Sequence, residues 1–399
     1  MRSITANYFA LTHLAKDTRM NCIALLFLCA PAGEIRRPEK GRAVFCIIFR
    51  KKSSLLKESG PAGRLVSAGR LHKGGMVIKA LRIVLALAAA AAACVLFWML
   101  VQKKQQQAAV SIPEPEIIYT GEDFIMDTYV SQKTCGEGAD QLIPQAAALL
   151  EELEKEWSAW SVDSVPGRIN AMAGVSPVTL EPAEYDILRQ VMDFSAETGG
   201  VFDPTIGPLV KLWDIGGESP SVPSADQIST ALSYVGMENV TMDDENLTVY
   251  LDRPGVALDF GASIKGYGVE QVLKLYQESG VQGALISLGG NVAATGQKPT
   301  EDGGTEDFVI GLRDPLGSAT DYYGTLVMND KVICTSGGYE RYFEQDGKRY
   351  HHILDPATGY PAETDLLAVT VIGEDGLRCD CLSTWLFMSG LDTVKEHLE

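Results

Sequence analysis

The sequence predicts a mixed α/β (α+β) protein: a single body of antiparallel sheets with flanking helices, preceded by one N-terminal membrane-anchor helix. Three observations carry this prediction: a long uncharged apolar run, a change of charge across that run, and alternating helix and strand patterns in the rest of the chain. With 399 residues, of which 46% are hydrophobic, the chain can bury a large core.

The apolar run extends over nineteen residues from Ile83 to Val101. Its length suits a membrane-spanning helix, which needs about 20 apolar residues. A buried helix of a soluble protein and a cleaved lipoprotein signal at Cys94 are the alternatives. The apolar residues continue beyond Cys94, which favours an uncleaved anchor within residues 76–104. The basic residues on the two sides of the run nearly balance, so they do not decide the orientation of the anchor in the membrane. We expect the large acidic body to be exported and to lie on the extracytoplasmic side of the cell membrane.

Charge separates the chain into two parts. Residues 1–104 contain 18 Lys and Arg against 4 Asp and Glu, whereas the remainder contains 16 against 48. Such an acidic body lacks the basic surface that nucleic-acid binding requires, so we expect no nucleic-acid partner. The basic extension, residues 1–75, either is not translated, with Met76 as the true start, or lacks ordered structure.

After a polar linker at residues 105–116, the body is expected to occupy residues 117–399. Helices are predicted in QAAALLEELEKEWSAW and in YDILRQVMDFSAETGG, which a glycine pair ends. Strands are predicted in EIIYTGEDFIMDTYVSQ, ALISLGG, FVIGLRDP, GTLVMNDKVICTSGGYERYF and VTVIG.

Three stretches carry polar residues that a plain core does not need. LDFGASIKGYG places Asp259 and Lys265 just before a predicted helix, where small residues and free N–H groups suit a phosphate. A simple turn capped by Asp259 or Ser263 is the alternative. GGVFDPTIGPL contains Asp203 directly before a proline, a pair that is common in turns. HHILDPATGYP begins with two adjacent histidines, the second of which is His352.

The stretch CDCLSTWLFMSG is typical of a buried helix, and such a helix does not need a carboxylate. Asp380 and Thr384 lie four residues apart and therefore share one face of this predicted helix. Cys379 and Cys381 flank the carboxylate, but C-x-C without a second Cys and His cluster is weak evidence for zinc.

In this order, the motifs MDT, FDPTIGPL, DFGASIKGYG, SLGGN, TSGGYERYF, HILDPATGYP and DCLST resemble those of the ApbE family of FAD:protein FMN transferases. The likeness covers residues from Met126 to the end of the chain. It implies a T-fold-like catalytic body that binds FAD with Mg²⁺, transfers FMN to a threonine hydroxyl of a target flavoprotein, and releases AMP.

The resemblance also implies residue roles. Mg²⁺ would be held by the side chains of Asp380 and Thr384 and by the carbonyl of Ala262, in agreement with the preference of this ion for oxygen ligands. The positions that match FAD contacts are Met126, Val201, Phe202, Asp203, Asp259, Lys265 and Leu354, with Trp160 where the family often has tyrosine.

The catalytic residues expected by this resemblance are Asp380, Lys265 as a second cation near the pyrophosphate, and His352. His352 is a candidate base for the acceptor hydroxyl, because imidazole titrates near neutrality; the alternative is that it only shapes the flavin pocket. Two other functions stay open: hydrolysis of FAD to FMN and AMP, and FAD binding for electron transfer.

The expected partners are FAD, a threonine-bearing acceptor flavoprotein such as a membrane-associated electron-transfer subunit, and the membrane itself through residues 83–101. Members of the family continue for a further helix and strand beyond the metal helix, so C-terminal truncation of the body is also open.

Overall fold

The structure is a computed structural model that describes residues 21–23, 45–50, 117–318 and 320–398. The chain divides into two compact units, one of Met1–Ser54 with Glu116–Glu399, and another of Leu55–Pro115. The second unit, with the predicted anchor at residues 83–101 and nearly all of the linker, lies outside the described residues. Within the described residues, no helix has the length and apolarity to cross a membrane.

The described strands form one large antiparallel sheet and three small ones. In chain order they are β1 (Asn21–Ile23), β2 (Phe45–Arg50), β3 (Ile118–Ile125), β4 (Thr128–Cys135), β5 (Val178–Thr179), β6 (Val240–Asp243), β7 (Thr248–Leu251), β8 (Gly283–Leu288), β9 (Asn291–Pro299), β10 (Thr305–Asp307), β11 (Val309–Arg313), β12 (Tyr322–Val327), β13 (Lys331–Gly337), β14 (Tyr342–Gln345), β15 (Lys348–His351) and β16 (Ala368–Gly373). The large sheet has the order β1-β2-β16-β13-β9-β8-β4-β3, with β10 paired to β9. The small sheets are β11-β12, β14-β15 and β5-β7-β6.

Seven α-helices belong to the described part of the chain. They are α1 (Leu142–Trp157), α2 (Val165–Ala171), α3 (Pro182–Glu197), α4 (Gly207–Trp213), α5 (Ala225–Leu232), α6 (Ile264–Ser279) and α7 (Gly376–Leu398). Helix α6 packs on β8 and β9, and α7 packs on β13 and β16. The predicted mixed α/β body of antiparallel sheets and flanking helices is therefore confirmed.

Side-chain alternation along β13 divides the core between the two faces of the large sheet. Val332 and Cys334 belong to the main cluster beneath the helices, whereas Ile333 belongs to a second cluster with residues of β11 and β12. This alternation is what a strand covered on both faces requires, since successive side chains project to opposite sides. The side chains of β13 that face α7 can therefore contribute to a site beneath that helix.

One boundary differs from the prediction. The sequence places Lys265 ahead of the helix, but α6 begins at Ile264, so Lys265 lies inside the first helical turn. The glycines of IKGYG are tolerated in the helix because both are buried: a Cβ on Gly266 would clash with the backbone of Gly376, and one on Gly268 would lie 3.1 Å from Cδ2 of Leu150. The cost of glycine in a helix is thus offset by tertiary packing.

Helices α6 and α7 touch through a pair of glycines. A Cβ atom built on Gly266 would lie 2.1 Å from the carbonyl oxygen of Gly376 and 2.6 Å from Cβ of Asp380. A Cβ built on Gly376 would lie 2.1 Å from the carbonyl oxygen of Gly266. The N–H of Gly376 donates to Oε2 of Glu270 at 2.7 Å, which satisfies one free donor at the start of α7. Only backbone approach of this kind brings Asp380 against the start of α6.

We expect Gly266→Ala and Gly376→Ala each to lower the free energy of unfolding by about 1–3 kcal/mol, because the added methyl group must push two backbones apart. Urea unfolding followed by circular dichroism measures the change. Gly324→Ala is the matched control, because a Cβ there meets no atom of the described residues within 4 Å. Equal stability of the Gly266 and Gly324 variants would contradict the packing argument.

Candidate functional site

Asp380 lies in the second turn of α7, with its side chain almost fully buried. Its Oδ2 accepts the backbone N–H of Gly266 at 2.8 Å. Gly266 is the third residue of α6, so the carboxylate occupies the N-terminal end of that helix, where the helix dipole and free N–H groups favour negative charge. The carboxylate is thus held by α6 although it belongs to α7.

Three hydroxyl groups form a hydrogen-bonded cluster that includes the backbone carbonyl of Asp380. Thr384, one turn after Asp380, has its Oγ1 3.0 Å from Oγ of Ser336 on β13. The same Ser336 oxygen lies 2.8 Å from Oγ of Ser383, and the Ser383 hydroxyl donates to the carbonyl of Asp380 at 2.9 Å. Asp380 and Thr384, which were predicted to share one face of the helix, thus both belong to a region of α7 that is lined by hydroxyl oxygens.

The donor set fits a small hard cation. In the part of the chain that the structure describes, the Asp380 carboxylate forms no salt bridge and accepts one hydrogen bond, from Gly266. A buried carboxylate without a cationic partner is costly, and a bound cation would remove that cost. No group of three or more His, Cys, Asp and Glu suited to a metal occurs among the described residues. The oxygens that could hold a metal there are those of the Asp380 carboxylate and the Thr384 hydroxyl, which are of the kind that Mg²⁺ prefers.

The cysteines around Asp380 are packing residues. Cys379 and Cys381 are buried and free, as is Cys334 on β13. Burial is the main cause that raises the pKa of the Cys334 thiol far above its usual value, and the negative charge of Asp380 adds to the effect. Burial likewise raises the pKa of the Cys379 and Cys381 thiols, so the metal-free protein keeps all three thiols protonated at neutral pH.

The segment before α6 is held by hydrogen bonds to its backbone. The side chain of Asn170 donates to the carbonyl of Leu258 at 3.0 Å and accepts the Leu258 N–H at 2.7 Å. The N–H of Asp259 then donates to the carbonyl of Pro204 at 2.8 Å, which joins the DFGAS segment to the FDPT segment. Oδ1 of Asp259 accepts the N–H of Gly261 at 2.8 Å. Burial raises the pKa of the Asp259 carboxyl.

Lys265 leans back along the first turn of α6, where its Nζ donates to the carbonyl of Gly261. Ser263, the residue before the helix, donates its hydroxyl to the Phe260 carbonyl at 3.0 Å and does not cap the helix with its side chain. The capping alternative thus lacks its hydrogen bond at Ser263, whereas Asp259 does accept a backbone N–H in the turn before the helix. The N-terminal end of α6 is instead met by Asp380 from another helix.

The FDPT segment forms a compact turn around its carboxylate. Oδ1 of Asp203 accepts from the N–H of Thr205 at 2.8 Å and from its hydroxyl at 2.6 Å. Burial is the largest cause of a raised pKa of Asp203. Phe202 is buried against Phe194 with ring centroids 5.2 Å apart, whereas Val201 is 40% exposed. Phe202 is thus held in the core while Val201 is open to a ligand.

His352 lies close enough to Lys265 and Arg341 for their positive charges to act on it. Its Nδ1 lies 3.2 Å from the carbonyl oxygen of Arg341, and its backbone N–H donates to that oxygen at 3.1 Å. Burial, followed by the positive charges of Lys265 and Arg341, lowers the pKa of His352 to about 3. The imidazole is therefore neutral at pH 7 in the ligand-free protein.

Trp213 connects helix α4, which begins within the FDPTIGPL motif, to the HILDPATGYP motif. This buried residue of α4 donates its Nε1–H to the carbonyl of Gly359 at 2.8 Å, across 146 residues of sequence. Leu354 pairs with Pro361 in the same turn and is itself buried. A small apolar pocket beside this turn is lined by Val210, Trp213, Ile215, His352 and Leu354.

Met126 occupies the two-residue turn between β3 and β4. Met126 and Asp127 have positive φ angles of 56° and 55°, the left-handed geometry of a tight hairpin turn. The turn is held from both sides: Oε1 of Glu154 accepts the Met126 N–H at 3.0 Å, and Arg341 donates to the Asp127 carbonyl at 2.7 Å. Trp160, by contrast, is 61% exposed on the turn after α1 and is not enclosed with the other predicted residues.

The structure assigns contacts to three residues that lie in the sequence motifs but for which the sequence predicted no role. Arg341 and Ser336 belong to TSGGYERYF, and Asn291 belongs to SLGGN. Arg341 joins the Met126 turn to His352, and Ser336 joins β13 to Thr384. A polar residue at a helix-facing position of a buried strand is the signal that could have identified Ser336.

The antiparallel sheet, the N-terminal end of α6 and the carboxylate held there define an α+β protein with an oxygen-lined candidate cation site. The chain belongs to the ApbE family, whose model matches residues 126–399. The resemblance found in the sequence motifs is thereby confirmed.

Individual relatives give the same result. The chain is 41% identical to the FAD:protein FMN transferase of Klebsiella pneumoniae over 224 residues, 56% of this chain and 68% of the relative. It is 34% identical to that of Treponema pallidum over 259 residues, 63% of this chain and 72% of the relative. It resembles the crystal structure of the ApbE protein of Thermotoga maritima with a TM-score of 0.62 and 32% identity, over 70% of this chain and 89% of the other. It also resembles the apo flavinyl transferase ApbE of Pseudomonas stutzeri, with a TM-score of 0.60 and 30% identity over 71% and 89%.

Burial of His352 has a consequence for stability against pH. The unfolded chain protonates this imidazole near pH 6.5, whereas the folded protein does so only near pH 3, so protonation favours unfolding. This contribution is present above pH 6.5 and is lost as the pH falls toward 3. Between pH 7 and pH 5, we expect wild type to lose up to about 2 kcal/mol more stability than His352→Gln.

Urea unfolding at the two pH values measures this difference. Both proteins retain Lys265, Arg341 and His351, the charged or titratable groups that act on His352, so their contributions largely cancel. Equal losses in the two proteins would show that His352 is not buried as a neutral imidazole.

Proposed function

We propose that this chain is a Mg²⁺-dependent transferase that moves FMN from FAD to a threonine hydroxyl of an acceptor flavoprotein and releases AMP. Relatives over the same region are named FAD:protein FMN transferases. The observation that carries the proposal is the buried Asp380 carboxylate, held at the N-terminal end of α6 beside hydroxyl oxygens and without a cationic partner among the described residues.

The metal ligands in this proposal are the side chains of Asp380 and Thr384 and the carbonyl of Ala262. Mg²⁺ bound there would polarise the pyrophosphate of FAD and neutralise charge that develops on it. Ser336 keeps the Thr384 hydroxyl in place, and the Gly266 N–H keeps the carboxylate in place. The chain thus provides a preorganised set of oxygens, which is what catalysis of phosphoryl transfer requires.

The FAD site in this proposal surrounds the start of α6. Lys265 is the second cation near the pyrophosphate, on the helix end that attracts phosphate groups. Asp259, Asp203 and Val201 come from segments that are joined to one another by the hydrogen bond between Asp259 and Pro204. The remaining predicted contacts are Met126, Trp160, Phe202 and Leu354. Trp160 keeps an exposed indole face on which an aromatic ring can stack.

Two roles were open for His352, proton acceptor or wall of the flavin pocket. The pKa of about 3 supports the second role, because a neutral imidazole with so low a pKa is a weak base. Its position in the pocket with Leu354 and Trp213 supports the same role. In this proposal His352 shapes the binding site.

We also propose that the enzyme works at the cell membrane, with its acidic body on the extracytoplasmic side. The support is the uncharged run at residues 83–101 with basic residues on both sides. An acceptor in the same membrane, such as an electron-transfer subunit, would meet the anchored enzyme at a high effective concentration.

The first experiment is intact-mass spectrometry of an acceptor. The full chain in detergent is incubated with FAD, Mg²⁺ and a threonine-bearing flavoprotein domain. We expect a mass increase of one FMN, no adduct with EDTA, and a rate at least about 100-fold lower for Asp380→Asn. Replacing the acceptor threonine by alanine should abolish the adduct.

Other outcomes would identify other activities. Mg²⁺-dependent release of AMP and free FMN, without an adduct, would indicate hydrolysis of FAD. Intact FAD that stays bound through all incubations would indicate a flavin carrier. Transfer at the wild-type rate in EDTA would overturn the proposed metal dependence.

Thr384→Val tests the hydroxyl ligand. We expect the Mg²⁺ concentration for half-maximal activity to rise about 10-fold, because an oxygen ligand is replaced by a methyl group of similar size. Thr370→Val is the matched control: Thr370 is also buried and has one hydroxyl partner, Thr335, at 2.9 Å. Activity titrated against Mg²⁺ gives the comparison, and equal shifts in both variants would argue against a metal ligand at Thr384.

A further inference from the structure

Asn291, the first residue of β9, has a buried side-chain amide whose donor group has no partner among the described residues. The residue is 1% exposed. Its Oδ1 accepts the backbone N–H of Thr335 at 3.3 Å, which fixes the orientation of the amide. Its Nδ2 has no hydrogen-bond partner in the described part of the chain. Two N–H donors are thus buried there without an acceptor.

Two other amides in the described part of the chain, the buried Asn239 and the half-buried Asn170, are satisfied. Nδ2 of Asn239 donates to the Gly236 carbonyl at 2.9 Å, and the amide of Asn170 is paired on both of its polar atoms. Because buried polar groups are nearly always paired, an exception needs an explanation such as an absent ligand or water.

Strand register places the amide beneath α6 and α7. Asn291 pairs with Leu288 of β8, whose side chain belongs to the same core cluster as that of Cys334 on β13. Residues opposite each other in an antiparallel pair project to the same face. The Cys334 thiol lies 3.7 Å from the Gly376 carbonyl at the start of α7. The amide of Asn291 therefore faces the side of the sheet that carries Asp380.

The turn before the buried Asn291 is made of two glycines, one of which borders open space. The strand before it ends at Leu288, and Gly289 and Gly290 make the turn with φ angles of 56° and 91°. A Cβ atom on Gly290 would meet no described atom within 4 Å, although its φ angle disfavours a side chain. A ligand can therefore approach the backbone of the β8–β9 turn, directly before Asn291 in the sequence.

We propose that the Nδ2 group of Asn291 donates a hydrogen bond to a phosphoryl oxygen of FAD. This inference rests on the proposed function, because it takes the pyrophosphate to lie at the cation site of Asp380. A neutral amide on that side of the sheet offers donors alone, which suits a phosphoryl oxygen and does not compete with the cation. Asn291 would then be a binding residue for the part of FAD where the bond is cleaved.

The test compares ligands that contain different parts of FAD. Isothermal titration calorimetry in Mg²⁺ measures the dissociation constants of FAD, ADP and riboflavin for the full-length wild type, Asn291→Leu and Asn291→Ser. We expect both variants to bind FAD and ADP about 10-fold or more weakly and to bind riboflavin as wild type does. The serine variant keeps the test valid if leucine prevents folding, which circular dichroism will show.

Asn239→Leu is the matched control, since it removes a buried amide whose donor is already paired. It should change stability and leave all three dissociation constants unchanged.

Each contrary outcome has a separate meaning. Wild-type affinity for FAD in both Asn291 variants would overturn the inference and leave an ordered water as the partner of Nδ2. Weaker riboflavin binding with unchanged ADP binding would assign the donor to the flavin ring and overturn the phosphoryl assignment. Absence of FAD binding by wild type would overturn the proposed function, and with it this inference.

Discussion

The contact between Gly266 and Gly376 determines the rest of the site. Helices α6 and α7 can approach to backbone distance only because neither has a side chain at this point. At that distance the carboxylate of Asp380 reaches the Gly266 N–H, so its negative charge is stabilised at the positive end of a sixteen-residue helix. A wider crossing would leave the same carboxylate buried without this compensation.

The large sheet supplies the second constraint, because its register decides which side chains join the carboxylate. Ser336 faces α7 and binds Thr384, whereas the neighbouring Thr335 pairs through its hydroxyl with Thr370 of β16. A shift of β13 by one residue would exchange these two faces and remove the hydroxyl from the site. Helix packing and strand register therefore act on the same few oxygen atoms.

The sequence was sufficient for the features that depend on local patterns. Hydrophobic periodicity predicted the strand pair around Met126 and the helix that a glycine pair ends at Gly199, and the four-residue spacing of Asp380 and Thr384 predicted a shared face. The start of α6 was placed too late, because its glycines disfavour a helix locally and are stabilised only by tertiary contacts, Gly266 with α7 and Gly268 with Leu150 and Leu288. Asn291 could not be chosen from its motif alone, since an unpaired amide is a property of the assembled sheet.

Charge links the cation and the substrate in the proposed mechanism. Asp203, Asp259 and Asp380 lie on segments that hydrogen bonds join to one another or to the start of α6, in an acidic protein. A pyrophosphate that entered this group alone would meet repulsion, which Lys265 and Arg341 offset only in part. A cation at Asp380 lowers that repulsion, so cation and FAD should each strengthen the binding of the other by the same factor. In the proposed mechanism the buried carboxylate would have two functions: it would hold the metal, and it would make FAD binding depend on the metal being present.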